Sequence, residues 1–158
     1  MSDNLLLAVV MSVVGTAVGM VINRFLKERK NYFDDFDKLL CYYGANLAYS
    51  RNTVPEFLKT FETQSHLLKK QIESIVKSLS GKSDFPSGFL SKKECAYAKE
   101  VFTSIGTHSL IAEKAFIEDS RSKLKSFRDI ADSRYTKLGS SSIKLGFLFG
   151  LMLAVIFW

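Results

Sequence analysis

The raw material for catalysis is sparse in this chain. It has two histidines, His66 and His108, two cysteines, Cys41 and Cys95, and one tryptophan among 158 residues. The histidines lie 42 residues apart, outside any metal-ligating spacing such as His-x-x-x-His, and read as surface or boundary residues. The cysteines form no Cys-x-x-Cys pair and read as reduced, half-buried apolar fillers of a cytoplasmic domain. No P-loop, Gly-x-Gly-x-x-Gly or Gly-x-Ser-x-Gly pattern occurs, so no catalytic, cofactor-binding or metal-binding residue is assigned. The carboxylates Asp34, Asp35 and Asp37 cluster beside four basic residues, and read as a solvated face that neutralises them rather than as an acid and base pair. Period-2 alternation is almost absent, which argues against a sheet and for an all-α fold.

Long apolar runs, by contrast, stand at both ends. Leu5 to Ile22, "LLLAVVMSVVGTAVGMVI", holds eighteen residues without a charge, enough for a membrane span. Met1, Ser2, Asp3 and Asn4 lack the basic flank of a signal peptide and no clear Ala-x-Ala site follows, so the segment is read as retained. The other run, Leu145 to Trp158, rises roughly 21 Å as a helix, short of a hydrocarbon core of about 30 Å. Adding Gly139 to Ile143, with Lys144 snorkelling toward the interface, approaches a full span and puts Trp158 in the far headgroup belt. Each span carries glycines four apart, Gly15 and Gly19 in one and Gly146 and Gly150 in the other, the spacing that lets helix backbones approach closely in lipid. Those faces either pair the two spans with each other or join neighbouring chains into a homo-oligomer.

All 22 lysines and arginines lie between Arg24 and Lys144, together with 15 of the 16 acidic residues, so this interval carries a net charge of +7. Arg24, Lys27, Arg29 and Lys30 stand directly behind the first span and, with Lys144, form the lipid boundary. Basic flanks favour a cytoplasmic middle with both tails outside. Nucleic acid is not an expected partner, because no aromatic-interleaved basic motif appears. The layout is therefore a span at 4–23, a helical bundle at 24–138 and a span at 139–158, with a serine-rich joint opening the last.

Within the bundle, Phe33, Phe36, Leu40, Tyr43 and Leu47 share one helical face, and "NRFLKERKNYF" permits one unbroken helix from the first span. Thr53, Pro55 and Glu56 start a second helix with a capping box; Phe57, Leu58 and Phe61 open its stripe, which Leu68, Ile72, Ile75 and Leu79 continue after an interruption near Gln64 and Ser65. "GKSDFPSGFL", Gly81 to Leu90, is a loop. Ser91 and Glu94 repeat the capping box, and Cys95, Ala98, Phe102 and Ile105 point inward until Gly106 interrupts. Leu110, Ile117, Leu124, Ala131 and Leu138 then recur every seven residues, a spacing suited to antiparallel packing, though Lys114, Arg121 and Arg128 between them argue against an isolated coiled coil. About four helices are expected between the spans.

This arrangement resembles the stage III sporulation protein AB family of endospore-forming bacteria nearly end to end. The residues that carry the likeness are "GTAVGMVINRFL", "LLCYYGANLAYSRNTVPEFL", "SIGTHSLIAEK" and the closing "KLGFLFGLMLAVIFW". The chain departs from the family pattern at Asn46 and Leu47, where Glu-Ile is common, and at Ser109 and Glu113, where Asp and Gln are favoured. The resemblance implies a domain similar to the cytoplasmic helical bundles of the F-type platform protein of type II secretion. It also implies a role as a scaffold in a secretion-like complex linking mother cell and forespore, beside a secretion-type ATPase and ring-forming partners. The competing classes are a membrane-anchored enzyme, a membrane-anchored adaptor and a holin-like small membrane protein.

Overall fold

The computed structural model describes residues 2–47, 53–78 and 84–156, and for residues 2–8, 140, 154 and 156 the backbone alone. Five α-helices follow one another: α1 Ser2–Asn46, α2 Val54–Thr60, α3 His66–Ser78, α4 Lys92–Ser104 and α5 Leu110–Ile156. No strand occurs among the described residues, in keeping with the all-α expectation. Leu79 and Trp158, both assigned from the sequence, lie outside the described residues, as do positions 81–83 of the expected loop.

Two compact units divide the chain: Met1–Lys30 with Ile130–Trp158, and Asn31–Asp129. The first consists of the N-terminal part of α1 and the C-terminal part of α5. α1 is long and apolar enough to cross a membrane. It is unbroken for 45 residues because good helix formers fill "RFLKERK" and Arg24 Nε meets Glu28 Oε1 at 3.4 Å one turn on.

α5 likewise runs 47 residues through Gly139 and the serines that the sequence suggested were a joint. Ser142 Oγ donates to the Gly139 carbonyl oxygen at 2.8 Å, so this hydroxyl bonds back onto the helix and the turn continues.

The second unit is a helical bundle whose core begins on α1. Tyr32, Phe33, Phe36, Leu39, Leu40 and Tyr43 are all buried, at the i, i+3, i+4 spacing of a single helix face. Phe36 stacks on Phe102 of α4 with ring centroids 5.3 Å apart, and Phe33 stacks on Phe127 of α5 at 6.2 Å. Phe57 and Leu58 of α2, Leu67, Leu68 and Ile72 of α3, Ala98 and Val101 of α4, and Ile117 and Leu124 of α5 are buried with them. Each buried aliphatic or aromatic side chain contributes about 1.5–3 kcal/mol relative to exposure. The heptad read in α5 holds at Ile117, Leu124 and Ala131 and fails at its ends, where Leu110 and Leu138 are half exposed.

The stops and starts are set by side chains. Thr53 N–H donates to Glu56 Oε2 at 3.0 Å, and Ser91 and Glu94 make both halves of the second capping box, at 2.8 and 3.4 Å. Gly106 ends the α4 turn at φ +81°, where a Cβ would also run into Val54. The chain between α3 and α4 is tied down by α3: Gln71 Nε2 donates to the Pro86 carbonyl oxygen at 2.8 Å and Ser74 Oγ to that of Asp84 at 2.9 Å. Gln71 Oε1 in turn accepts from the Tyr32 hydroxyl at 2.8 Å, so a fully buried amide links α1, α3 and the loop.

Asp35 is the clearest correction to the solvated-face reading. It is 5% exposed, and its carboxylate accepts from Thr63 Oγ1 at 2.9 Å, Gln64 N at 2.8 Å and Ser65 N at 3.1 Å, with Lys38 Nζ at 3.1 Å. It thereby organises the break between α2 and α3, and Ser65 Oγ accepts the Leu68 N–H at 3.4 Å to open α3. Burial pushes the Asp35 carboxyl up, but these four donors outweigh burial and hold it below the usual carboxylate range. A depressed folded pKa stabilises above the unfolded value and loses that stability as pH falls through the folded one. Asp35→Asn should therefore cost about 1–3 kcal/mol at pH 7. The gap to wild type should narrow as the pH drops below about 4. Urea melts followed by circular dichroism at several pH values measure this, and a gap independent of pH would contradict the charged cap.

Candidate functional site

In the unit made of Met1–Lys30 and Ile130–Trp158, the four glycines singled out by spacing meet face to face within one chain. A Cβ at Gly15 would collide with the Gly146 carbonyl oxygen, and one at Gly146 with the Gly15 carbonyl oxygen. A Cβ at Gly19 would stand 2.5 Å from the Ser142 oxygen and 2.8 Å from the Ile143 Cα, and one at Gly150 would stand 2.6 Å from the Met11 oxygen. Every obstacle is backbone, so no rotamer change relieves it. Of the two uses the sequence left open for these faces, contact between α1 and α5 of the same chain is the one these positions occupy.

The contact continues beyond the glycines through residues that the sequence reading missed. Ser142 Oγ shares its one hydrogen between the Gly139 carbonyl and the Gly19 carbonyl oxygen, the latter at 3.2 Å, and a Cβ at Gly139 would lie 3.0 Å from Asn23 Oδ1. The signal was present as a run of small residues, Gly139, Ser142, Gly146 and Gly150, on one helical face, but a serine cluster next to glycine reads locally as a joint. At the inner end, Lys30 Nζ meets Asp132 Oδ1 at 2.6 Å and lies 5.3 Å from the Tyr135 ring centroid.

The remaining boundary cations are arranged less uniformly than their spacing suggests. Arg24 and Lys27 are exposed, Arg29 and Lys30 half-buried, and Lys144 exposed on α5. Asp34 and Asp37 are paired within the bundle. Arg128 Nε meets Asp34 Oδ1 at 2.6 Å and Arg121 Nε meets Asp37 Oδ1 at 2.8 Å, so their partners come from α5 within the bundle. Opposite charges there do what apolar heptad neighbours do elsewhere, and the Asp37 bond raises the Arg121 pKa further.

The other polar concentration is around Glu113, which is 2% exposed. Its carboxylate accepts from Gly106 N at 2.7 Å and His108 N at 3.3 Å, and lies 3.0 Å from His108 Nδ1, whose ring stacks on Phe116. Burial pushes the Tyr43 phenol up, and the neighbouring Glu113 charge adds to this. With its oxygens committed to the turn before α5, Glu113 acts as a lock on that turn. Cys41 is exposed rather than half-buried, Cys95 is half-buried, and both are free thiols.

Replacing Gly146 and Gly150 with leucine should push α1 and α5 apart by about 2–3 Å, toward the 8–10 Å axial separation of helices that carry full side chains. Leucines at Gly15 and Gly19 should do the same, since both pairs serve one contact. Spin labels at Val14 and Phe147, read by pulsed dipolar spectroscopy in detergent, report the change. Gly44→Ala is the control, because its Cβ would meet Ile117 at an ordinary 3.5 Å. Unchanged distances in both leucine pairs would show that glycine does not set the approach. No family model, curated protein or solved structure matches this chain.

Proposed function

We propose that the chain is a two-pass membrane scaffold: α1 and α5 anchor it as a glycine-paired hairpin, and the bundle at Asn31–Asp129 faces the cytoplasm and presents a surface to protein partners. The observation that carries this reading is the inverted packing of the first unit. Its inward face is glycine and serine, while its bulky apolar side chains turn outward, with Val13, Val21 and Val155 62%, 68% and 75% exposed. Water makes such a surface costly, at about 25 cal/mol per Å² of apolar area. Hydrocarbon does not, and in lipid helix contacts rest on close packing of small residues.

The resemblance to the stage III sporulation protein AB family supplies the finer part of the proposal. In that role the chain sits in the mother-cell membrane as a platform component of a secretion-like complex, works beside a secretion-type ATPase, and makes and breaks no bond itself. A cleft of the bundle, about 560 Å³ and lined by Leu58, Phe61, Ile72 and Val76 together with Lys59 and Glu73, suits a partner contact better than a reaction centre.

Alkaline extraction should leave the protein in the membrane pellet, and release to the supernatant would remove the anchors. Cys41 is a native reporter of topology because it is exposed. An impermeant maleimide should label Ser2→Cys on intact cells and reach Cys41 only after permeabilisation. The opposite pattern would reverse the orientation. A pull-down from sporulating membranes should recover a secretion-type ATPase, and recovery of lipid-metabolism enzymes alone would remove the platform role.

A further inference from the structure

Three cations of the paired unit lie on α5 without a carboxylate partner among the described residues. Glu28 is held by Arg24 and Asp132 by Lys30, while Arg134, Lys137 and Lys144 are exposed and meet no carboxylate among the described residues. These three, with Ser141, recur at i, i+3, i+7 and i+10, which at 3.6 residues per turn collects them on one face of α5. That face points away from the one formed by Gly139, Ser142, Gly146 and Gly150, which is turned against α1.

Depth distinguishes Lys144 from the others. Gly139 lies against Asn23 and Ser142 against Gly19, so Lys144 is level with Ala17 and Val18 of α1, roughly 9 Å along the helix from Asn23. Helical side chains lean toward their own N-terminus, and for Lys144 that direction runs back toward Ser141 and Lys137. The same face continues in the other direction as exposed Leu148, Met152 and Val155, at 59%, 60% and 75%. One helix face is therefore cationic and hydroxyl-bearing over its first three turns and purely apolar below.

We propose that this face of α5 is a binding site for an anionic phospholipid, with the phosphodiester held by Lys137, Ser141 and Lys144 and an acyl chain lying along Leu148, Met152 and Val155. Arg134 completes the cationic end. A zwitterionic headgroup would place its own cation among these three, so the preference is for a net negative lipid. A soluble phosphate would use the upper half of the face and leave the apolar half without a role. The site deepens the membrane reading above and rests on it.

The full chain purified in detergent and titrated with phosphatidylglycerol or phosphatidylcholine, read by native mass spectrometry, tests the site. Wild type should retain phosphatidylglycerol in preference, Lys137→Gln with Lys144→Gln should weaken that retention about tenfold, and Lys137→Arg with Lys144→Arg should preserve it. Lys92→Gln with Lys93→Gln, in the bundle, should change nothing. Circular dichroism of each variant confirms that the helices are intact. Equal retention of the two lipids by wild type, or an unaffected glutamine variant, would overturn the site, and so would displacement of phosphatidylglycerol by millimolar inorganic phosphate. Release of wild type from membranes at alkaline pH would instead overturn the anchors on which the site rests, so the two failures are distinguishable.

Discussion

Backbone contact between α1 and α5 at Gly15, Gly19, Gly146 and Gly150 is the constraint on which the paired unit depends. At these positions the backbone of the facing helix occupies the volume of a Cβ, so the helices cannot slide by one residue without driving a side chain into a peptide group. The register then determines what else can pair. Asn23 falls beside Gly139, Ser142 reaches the Gly19 carbonyl, and Lys30 finds Asp132. A bulky interface, by contrast, tolerates rotamer adjustment and repacking, and would specify the alignment less sharply.

The bundle uses a different device, the buried polar group that fastens a connection. Gln71 holds the stretch before α4, Asp35 the break between α2 and α3, and Glu113 the turn before α5. Each sits on a helix: Asp35 and Glu113 receive hydrogens from irregular-segment N–H groups that would otherwise lack partners, and Gln71 donates to the Pro86 carbonyl oxygen. An unpaired buried donor or acceptor costs about 1–3 kcal/mol, so each of these side chains is worth more than its own hydrogen bonds suggest. They also explain how short helices such as α2, with seven residues, persist: isolated helices of that length are unstable, and α2 is held by Phe57 and Leu58 in the core and by Asp35 just past its end.

Helix positions, both capping boxes and the breaks near Gln64 and at Gly106 were legible in the sequence because they depend on local rules: apolar spacing, Ser or Thr three residues ahead of Glu, and glycine at a turn. The glycine pairs were legible too, but not which surfaces they join, since spacing within a helix carries no information about its partner. Asp35 was misread for a related reason. Beside Asp34 and Asp37 it is indistinguishable as a letter, yet one helical step turns it toward Thr63 and Gln64 while its neighbours face Arg128 and Arg121. The serines at 140–142 were misread as a joint because local preference for turns was weighed without the opposite helix, whose Gly19 carbonyl gives Ser142 a use inside a continuous α5.

The heptad in α5 shows the same limit from another side. Ile117 and Leu124 are core residues and Ala131 is buried in the paired unit, where a small side chain suits close approach, while Leu138, next in the series, is half exposed. A seven-residue repeat drifts by about 20° per heptad on a straight helix, so a series that starts on the inward face leaves it after a few repeats unless the helices supercoil. By Gly139 the inward face has passed to the next residue, and the interface from there on follows glycine and serine at 139, 142, 146 and 150. The change of residue type accompanies a change of packing rule: leucine and isoleucine fill space between separated axes, whereas glycine removes the space. A helix that must obey both rules in sequence cannot keep one periodicity along its length, and Leu138 is where the first rule has ceased to apply.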